Sequence, residues 1–324
     1  MNKNLELYRD ELETQGTNFF ILDTKGKGSV YGDVDFVAYC WDIDHYNQVN
    51  DGDLFIYRRQ QKASEIKGQF YFFGAGKISK IQSIEGKRVK GIISKAFIFD
   101  EPLLQEELED FKWEFRNRGK NWEHFFNQYG MNKIPKNDFI HLLSFKPGVL
   151  QESKEISSGM DEEVKFYQRQ EGGNYRVEDQ EGSSKTRGAA QKVFANQVKL
   201  EYGFQCAVTG IKTKELLVAS HIVPWSEDKD NRLNPRNGIC LSPLIDKAFD
   251  KGFISFTDDL KLIVSDSAKT DAALYESLRP YEGKRLNVRK EFEPDRDFLT
   301  WHRTHLLLKY NDGVNKILSK GSFD

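Results

Sequence analysis

The sequence has no long hydrophobic run. Its 324 residues are 38% hydrophobic and 30% charged, and no apolar stretch approaches the ~18 residues that a membrane-spanning helix needs. The opening stretch, MNKNLELYRDELETQG, is charged throughout and lacks the apolar segment of a secretory signal. We therefore expect a protein with no membrane partner that works in the cytoplasm.

Cysteines and phosphate-binding motifs are scarce as well. The three cysteines, Cys40, Cys206 and Cys240, form no CxxC pair, which argues against a disulfide framework or a zinc knuckle and fits a reducing compartment. Neither a GxxxxGKS/T loop nor a GxGxxG turn occurs, so we expect no nucleotide cofactor. No repeat of about 20 to 50 residues is visible, which argues against a solenoid.

The length of the chain corresponds to about two domains. The first 150 residues contain short segments rich in β-branched and aromatic residues, separated by Gly or Asn/Asp turns. These segments predict a small β-barrel or curled sheet, with flanking helices after Pro102. The predicted strands are 19–22, 34–41, 53–59, 69–81 and 88–99.

Charge is unevenly distributed, although the net charge is −2. Residues 151–181 carry nine acidic against four basic side chains, so we predict a solvated linker at 151–183, with short helical content at 162–170. Between 185 and 236 the balance reverses, with nine basic against five acidic side chains. The second domain, 184–324, thus begins with a stretch able to approach phosphate. Its first helix is predicted to bury Val193, Phe194, Val198 and Leu200.

The residues with the most chemical information lie between 204 and 255. A strand containing LLVASHIVPW, a polar loop, a strand NGICLS and a short helix PLIDKAFDKG follow one another. This order places His221 opposite Asn237, and Asp246 and Asp250 one turn apart on one helical face. Two carboxylates beside a histidine suit a hard divalent cation and a base that activates water.

The segments SHIVPW, NPRNGICLSP and KAFDKG resemble the HNH nucleases, whose ββα-metal unit holds one divalent cation. The resemblance implies that His221 is the general base and that Asn237 bridges the strands and orients it. Asp246 occupies the last motif position, and Asp250 is a further ligand one turn later.

Two positions depart from that pattern. Ser220 stands where an Asp or His ligand is common, and it remains a weak candidate ligand. Aspartate at 246 replaces the more usual His or Asn, which favours Mg²⁺ or Mn²⁺ over Zn²⁺. The predicted DNA contacts are Arg232, Arg236 and Lys247.

The first domain resembles the EVE domain, a PUA-like barrel related to readers of modified bases. The resemblance rests on an aromatic-rich strand, a Gly-Asp pair before a strand that ends in tyrosine, and a GxG turn. It implies a pocket that holds a flipped, modified cytosine between aromatic rings. The predicted pocket residues are Tyr31, Tyr39, Trp41 and Asp42, with Asp33 as an alternative to Asp42; the aromatic residues can equally be core residues.

Together these features predict an α+β protein, with an N-terminal PUA-like (EVE) reader at 1–150 and a C-terminal HNH domain. The predicted function is a type IV-like, modification-dependent restriction endonuclease. It would recognise 5-methylcytosine or 5-hydroxymethylcytosine in double-stranded DNA and cleave with Mg²⁺ or Mn²⁺, as a homodimer. Two alternatives remain: a nuclease that recognises unmodified DNA, and a non-catalytic nucleic-acid-binding protein with a decayed HNH fold.

Overall fold

The computed structural model describes residues 3–25, 32–44, 46, 48–114, 130–145, 156–179 and 184–307. The chain divides into two compact units. The first comprises Met1–Asn174 and Gly182–Lys192, and the second comprises Tyr175–Glu181 and Val193–Asp324. Strands and helices occur in both, which confirms the α+β class. Within the described ranges, no helix combines the length and the apolarity needed to cross a bilayer.

A curled, six-stranded sheet forms the centre of the first unit. Its strands are β1 Phe19–Thr24, β2 Ala38–Asp42, β3 Leu54–Arg59, β4 Tyr71–Glu85, β5 Arg88–Leu104 and β6 Met131–Ile134. They lie in the order β2-β5-β4-β3-β1-β6 across the sheet. Strands β1 and β3 run parallel, and the other pairs of described strands are antiparallel. Strands β2 and β6 form the two ends, so the sheet is an open half-barrel.

The central strands form around the apolar segments FFIL and LFIY, whose side chains lie on both faces. Every residue of β1 and β3 is buried, whereas the distal half of β4 is exposed and polar. Short helices α1 (Lys3–Leu7) and α2 (Arg9–Glu13) and the longer α3 (Lys136–Ser144) accompany the sheet, and α3 contributes Phe139 to its core.

The segment after Pro102 differs from the predicted helix. Leu103 and Leu104 continue β5 by pairing with Phe72 and Tyr71, and a single 3-10 turn, Gln105–Leu108, follows. The reason is tertiary, because burial of these leucines against the sheet outweighs their helical spacing. The helix predicted at 121–130 lies outside the described residues except for Gly130.

The stretch predicted as a linker contains the helix predicted at 162–170, in a longer form. Helix α4, Ile156–Glu171, lies within it and packs against β5 in the first unit. The hydroxyl of Tyr167 accepts a hydrogen bond from Arg59 at 2.9 Å and donates to Asp35 at 3.2 Å. Its ring meets Phe36 edge-on at 5.2 Å. The predicted helical content is therefore confirmed, and one face of the helix is well packed.

The second unit consists of short elements. Helix α5, Ser184–Glu201, spans the division between the units along the chain. The four predicted core residues of this helix are all buried, as expected from their spacing. Strand β7 (Val218–His221) pairs with β8 (Gly238–Leu241), and α6 (Pro243–Asp250) follows. The further strands and α-helices that the structure describes here are β9 Ile254–Phe256, β10 Leu262–Val264, α7 Asp266–Lys269, α8 Ala272–Leu278 and α9 Arg296–His302.

Candidate active site

His221 is the last residue of β7, paired with Gly238 of β8. Its Nε2 lies 3.0 Å from the carbonyl oxygen of Arg232. Because a carbonyl can only accept, Nε2 carries the proton and Nδ1 keeps a lone pair. Among the described residues, Nδ1 has no hydrogen-bond partner. The ring is therefore held in the tautomer that can accept a proton at Nδ1.

Aromatic rings enclose the imidazole. Phe194 of α5 stacks on it with ring centres 3.7 Å apart, and Trp225 meets it edge-on at 5.9 Å. Burial lowers the pKa of His221 to about 4, the Arg232 charge adds to this, and the hydrogen bond to the Arg232 carbonyl opposes it. The ring is consequently neutral near pH 7, as a general base must be.

Asn237 links the two sides of the loop between β7 and β8. Its Oδ1 accepts the backbone N–H of Val223 at 2.8 Å. Its Nδ2 donates to the carbonyls of Val223 at 3.2 Å and Asn231 at 3.3 Å. The side chain is 1% exposed, so every polar atom it has serves this bridge, which fixes the chain directly after His221.

Asp246 and Asp250 lie one turn apart on α6, which packs against β7. Burial raises the pKa of Asp246, while the Ser220 hydroxyl and Lys247 oppose the rise. Burial also raises the pKa of Asp250, and the negative charge of Asp246 adds to it. The two carboxylates therefore repel each other in a partly desolvated place, where a cation would stabilise both.

Ser220 adds a third oxygen. Its side chain is 3% exposed, and its Oγ forms no hydrogen bond of ordinary geometry with the described residues. It nevertheless lies close enough to the Asp246 carboxylate to lower the pKa of that group. A buried hydroxyl without a regular hydrogen-bond partner is uncommon, and it suggests that a bound group such as a cation contacts the Ser220 Oγ.

These oxygens fit a hard cation, although they do not form a complete cage. No group of three or more His, Cys, Asp or Glu side chains converges as a metal site in the described parts of the chain. Mg²⁺ commonly binds through one or two carboxylates and takes its remaining ligands from water and substrate phosphate. Asp246, Asp250 and Ser220 would supply that protein share.

The three predicted DNA contacts lie in different surroundings. Lys247 is exposed on α6. Arg236 pairs with Glu201 at 3.2 Å and donates to the carbonyl of Glu291, and its side chain is partly exposed. Arg232 is 2% exposed, and its guanidinium is bonded to other parts of the second unit. Buried and internally bonded, the Arg232 side chain is placed to organise the loop.

The predicted base-pocket residues are divided by the pleat of β2. Tyr39 and Trp41, whose ring centres are 6.5 Å apart, are 2% and 6% exposed on the inner face. Trp41 Nε1 donates to the Tyr46 carbonyl at 3.2 Å, and the Tyr39 hydroxyl donates to the Asp23 carbonyl at 3.0 Å. Asp42 lies on the opposite face, in register with Arg88. Tyr31 lies outside the described residues, and the pocket remains a prediction.

A second polar cluster in the first unit was missed from the sequence. Arg59 Nη2 contacts Asp35 at 3.0 Å and Nη1 donates to Thr24 at 2.8 Å. The guanidinium also lies 4.9 Å from the ring centre of Phe73. The available signal was the Arg-Arg pair that ends the apolar strand LFIYRR, since arginine is rarely buried without partners.

The comparisons with known proteins agree with the geometry of the second unit. Residues 206–257 match the family described as HNH endonuclease. The chain carries an HNH endonuclease domain. The matched segment begins at Cys206, includes β7, β8 and α6, and ends after β9. The family as a whole uses a divalent cation, in keeping with the oxygens gathered at α6.

The chain was also compared with curated proteins and with solved structures. No curated protein matches the chain in sequence. A solved structure named "Modification dependent TagI restriction endonuclease" aligns with 88% of this chain and 81% of its own, at 13% identity and a TM-score of 0.27. A TM-score this low does not establish a common fold.

Proposed function

We propose that this protein is a DNA endonuclease that hydrolyses phosphodiester bonds at the site formed by β7, β8 and α6. The observation that carries the proposal is the orientation of His221. Its Nε2–H is bound to the Arg232 carbonyl at 3.0 Å, so Nδ1 is left with a lone pair. Next to it in the chain, Ser220 approaches the Asp246 carboxylate. The match to HNH endonucleases supports the same activity.

In the proposed reaction, Nδ1 of His221 accepts a proton from a water molecule. The water oxygen attacks the phosphorus, the bond to the 3′ oxygen opposite the attack breaks, and that oxygen takes up a proton from solvent water. The products are a 5′ phosphate and a 3′ hydroxyl. Mg²⁺ or Mn²⁺, held by Asp246, Asp250 and Ser220, would supply positive charge to the phosphate as negative charge builds on it. Asn237 keeps the chain after His221 in place during the reaction.

One site of this kind cleaves one strand. Cleavage of both strands of a duplex therefore requires two copies of the site or two successive events. We propose a cytoplasmic homodimer with two-fold symmetry, because a two-fold axis between protomers matches the pseudo-two-fold symmetry of a DNA duplex.

We further propose that the first unit is an EVE-like reader of 5-methylcytosine or 5-hydroxymethylcytosine. The outer face of β4 and β5 offers phosphate contacts, because Lys80, Arg88 and Lys90 lie on it by strand register. Asp42 shares this face. A base held by Tyr39 and Trp41 would enter from the other side of the sheet and take its polar contacts there from a different residue.

One experiment tests both proposals. Plasmid DNA with and without cytosine methylation is incubated with the full chain and Mg²⁺ or Mn²⁺. Cleavage of methylated DNA alone supports a modification-dependent nuclease, and equal cleavage of both favours a nuclease that recognises unmodified DNA. Binding without cleavage under every condition favours the non-catalytic alternative.

A further inference from the structure

A short segment of the stretch predicted as a linker is bound to the loop of the active site. Residues 175–179, here called the strap, run beside the loop formed by residues 228–233. The N–H of Val177 donates to the carbonyl of Lys229 at 3.0 Å, and the N–H of Leu233 donates to the carbonyl of Tyr175 at 2.9 Å. The strap and the loop both belong to the second unit.

Arg232 is the main connection between the strap and the loop. Its Nη1 donates to the Val177 carbonyl at 2.7 Å, and its Nη2 pairs with Asp179 at 2.7 Å. Its Nε donates to the Trp225 carbonyl at 2.8 Å, and the guanidinium lies 4.7 Å from the centre of the Trp225 ring. With all three nitrogens engaged, the side chain fixes the backbone of its own residue.

The carbonyl of that same residue accepts the proton-bearing nitrogen of His221. Stacking on Phe194 fixes the plane of the imidazole, with 12° between the rings. Stacking does not distinguish between two orientations of the ring that differ by a 180° rotation about the Cβ–Cγ bond. That rotation exchanges the positions of Nδ1 and a ring carbon. The hydrogen bond to Arg232 does distinguish these two orientations, and it selects the tautomer protonated on Nε2.

We propose that the strap, acting through Arg232, positions His221 and holds it in its proton-accepting tautomer. Arg232 is thus a positioning residue, and Asp179 orients it from the strap. The inference deepens the proposed function and rests on it for the consequence in cleavage. The orientation of the imidazole can be measured without cleavage, and this separates the two claims.

The test compares variants of the full chain. Arg232→Lys keeps the charge but cannot reach Trp225, Val177 and Asp179 together, so kcat for cleavage should fall about 10- to 100-fold with KM nearly unchanged. Asp179→Asn should cause a smaller fall, and Asp179→Glu should restore most of it. Glu178→Gln is the matched control, because Glu178 is an exposed strap residue paired with Arg176, and it should behave like the parent.

The ring itself is followed by NMR of protein labelled with ¹⁵N at histidine, with the His221 signals assigned by their loss in His221→Gln. In the parent, the nitrogen shifts should report protonation on Nε2, and in Arg232→Lys they should move toward a mixture of tautomers. Parent-like kcat and parent-like shifts in a folded Arg232→Lys protein would overturn the inference.

If Arg232→Lys does not fold, Asp179→Asn decides by the same two measurements. Failure of the parent to cleave any DNA removes the proposed function but leaves the tautomer test standing. A parent that cleaves, combined with His221 shifts that do not respond to either substitution, removes the inference and leaves the function.

Discussion

Two histidines of the second unit have nearly the same surroundings. His221 stacks on Phe194 and His302 stacks on Phe249, each with ring centres 3.7 Å apart. In both, Nε2 donates to a backbone carbonyl, that of Arg232 or that of Phe249. Burial is the largest cause that lowers the pKa of each ring to about 4.

The difference between them lies at the second nitrogen. Nδ1 of His302 accepts the hydroxyl of Ser255 at 2.9 Å, and the ring is 0% exposed. Nδ1 of His221 has no such partner among the described residues, and the ring is partly exposed. A buried, stacked histidine is therefore no sign of catalysis by itself. What marks a base is one nitrogen fixed by the protein and the other left for the substrate.

The largest expected effect comes from the carboxylates beside His221, because a cation is proposed to bind next to His221 and not next to His302. Asp246→Ala should reduce cleavage below detection and weaken Mn²⁺ binding, because it removes a charged oxygen ligand. Isothermal titration with Mn²⁺ measures the binding directly. Asp259→Ala, which removes an exposed carboxylate from a turn after β9, is the control and should bind like the parent. Unchanged Mn²⁺ affinity in Asp246→Ala would place the ligands elsewhere.

Replacing the two histidines in turn tests the comparison itself. His221→Ala should lower kcat by about 10²- to 10⁴-fold, the usual loss for a general base, with DNA affinity nearly unchanged. His302→Gln should leave the kcat of the folded protein near that of the parent and lower its thermal stability instead. Cleavage kinetics with matched unfolding curves separate the outcomes, and full activity in His221→Ala contradicts the assignment.

The free energy of unfolding should depend on pH because His302 is buried. Its pKa drops from 6.5 to about 4 on folding, so between these values the unfolded chain binds the proton more readily. Stability is then complete above about pH 6.5 and is lost as the pH falls toward about 4, by about 3 kcal/mol. Urea unfolding of the parent and of His302→Gln over this range measures it. The pKa shift of His221 adds a pH dependence of the same direction to both proteins. If the free energy of unfolding has the same pH slope in the parent and in His302→Gln, the prediction is contradicted.

The smallest effect is expected when His302 is made to resemble His221. Ser255→Ala removes the donor to Nδ1 and leaves a buried acceptor without its partner, at a cost of about 1 to 3 kcal/mol. Chemical denaturation measures this cost, and Thr257→Ala at the neighbouring turn serves as a comparison. Gain of cleavage at a second place is not expected, because His302 is 0% exposed and its Nδ1 lies out of reach of a phosphate. A stability equal to that of the parent would show that the Ser255 hydrogen bond contributes nothing.

Local patterns were enough to predict the two strands and the helix that carry the candidate site. His221, Asn237 and Asp246 lie within one short stretch of chain, on or next to β7, β8 and α6. The strands around Phe55 and Phe72 were likewise evident, because buried strands are rich in aromatic and β-branched residues. Leu103 was assigned to a helix, because its strand partner lies 31 positions earlier and contributes no local signal.

The remaining features depend on contacts between distant parts of the chain. Arg232 looked like a DNA ligand because it lies in a basic stretch, but its partners include Val177 and Asp179, more than fifty positions earlier. Burial of a charge is decided by such partners and leaves no periodic pattern. Trp41 and Asp42 lie on opposite faces because β2 continues through Asp42, one residue past the predicted end of the strand, and successive side chains of a strand alternate between its faces.

The distribution of the three thiols has a practical consequence for following how the molecule opens. Cys40 lies in the first unit and is partly exposed, whereas Cys206 and Cys240 are 0% exposed in the second. Burial alone would raise the pKa of Cys206, but hydrogen bonds from Thr209, Val208 and Ser242 outweigh it and lower that pKa. A thiol reagent should therefore modify Cys40 in the native state, and Cys206 only at the rate at which its surroundings separate. Mass spectrometry of the labelled peptides would then time the opening of the second unit in the intact chain through its own cysteines.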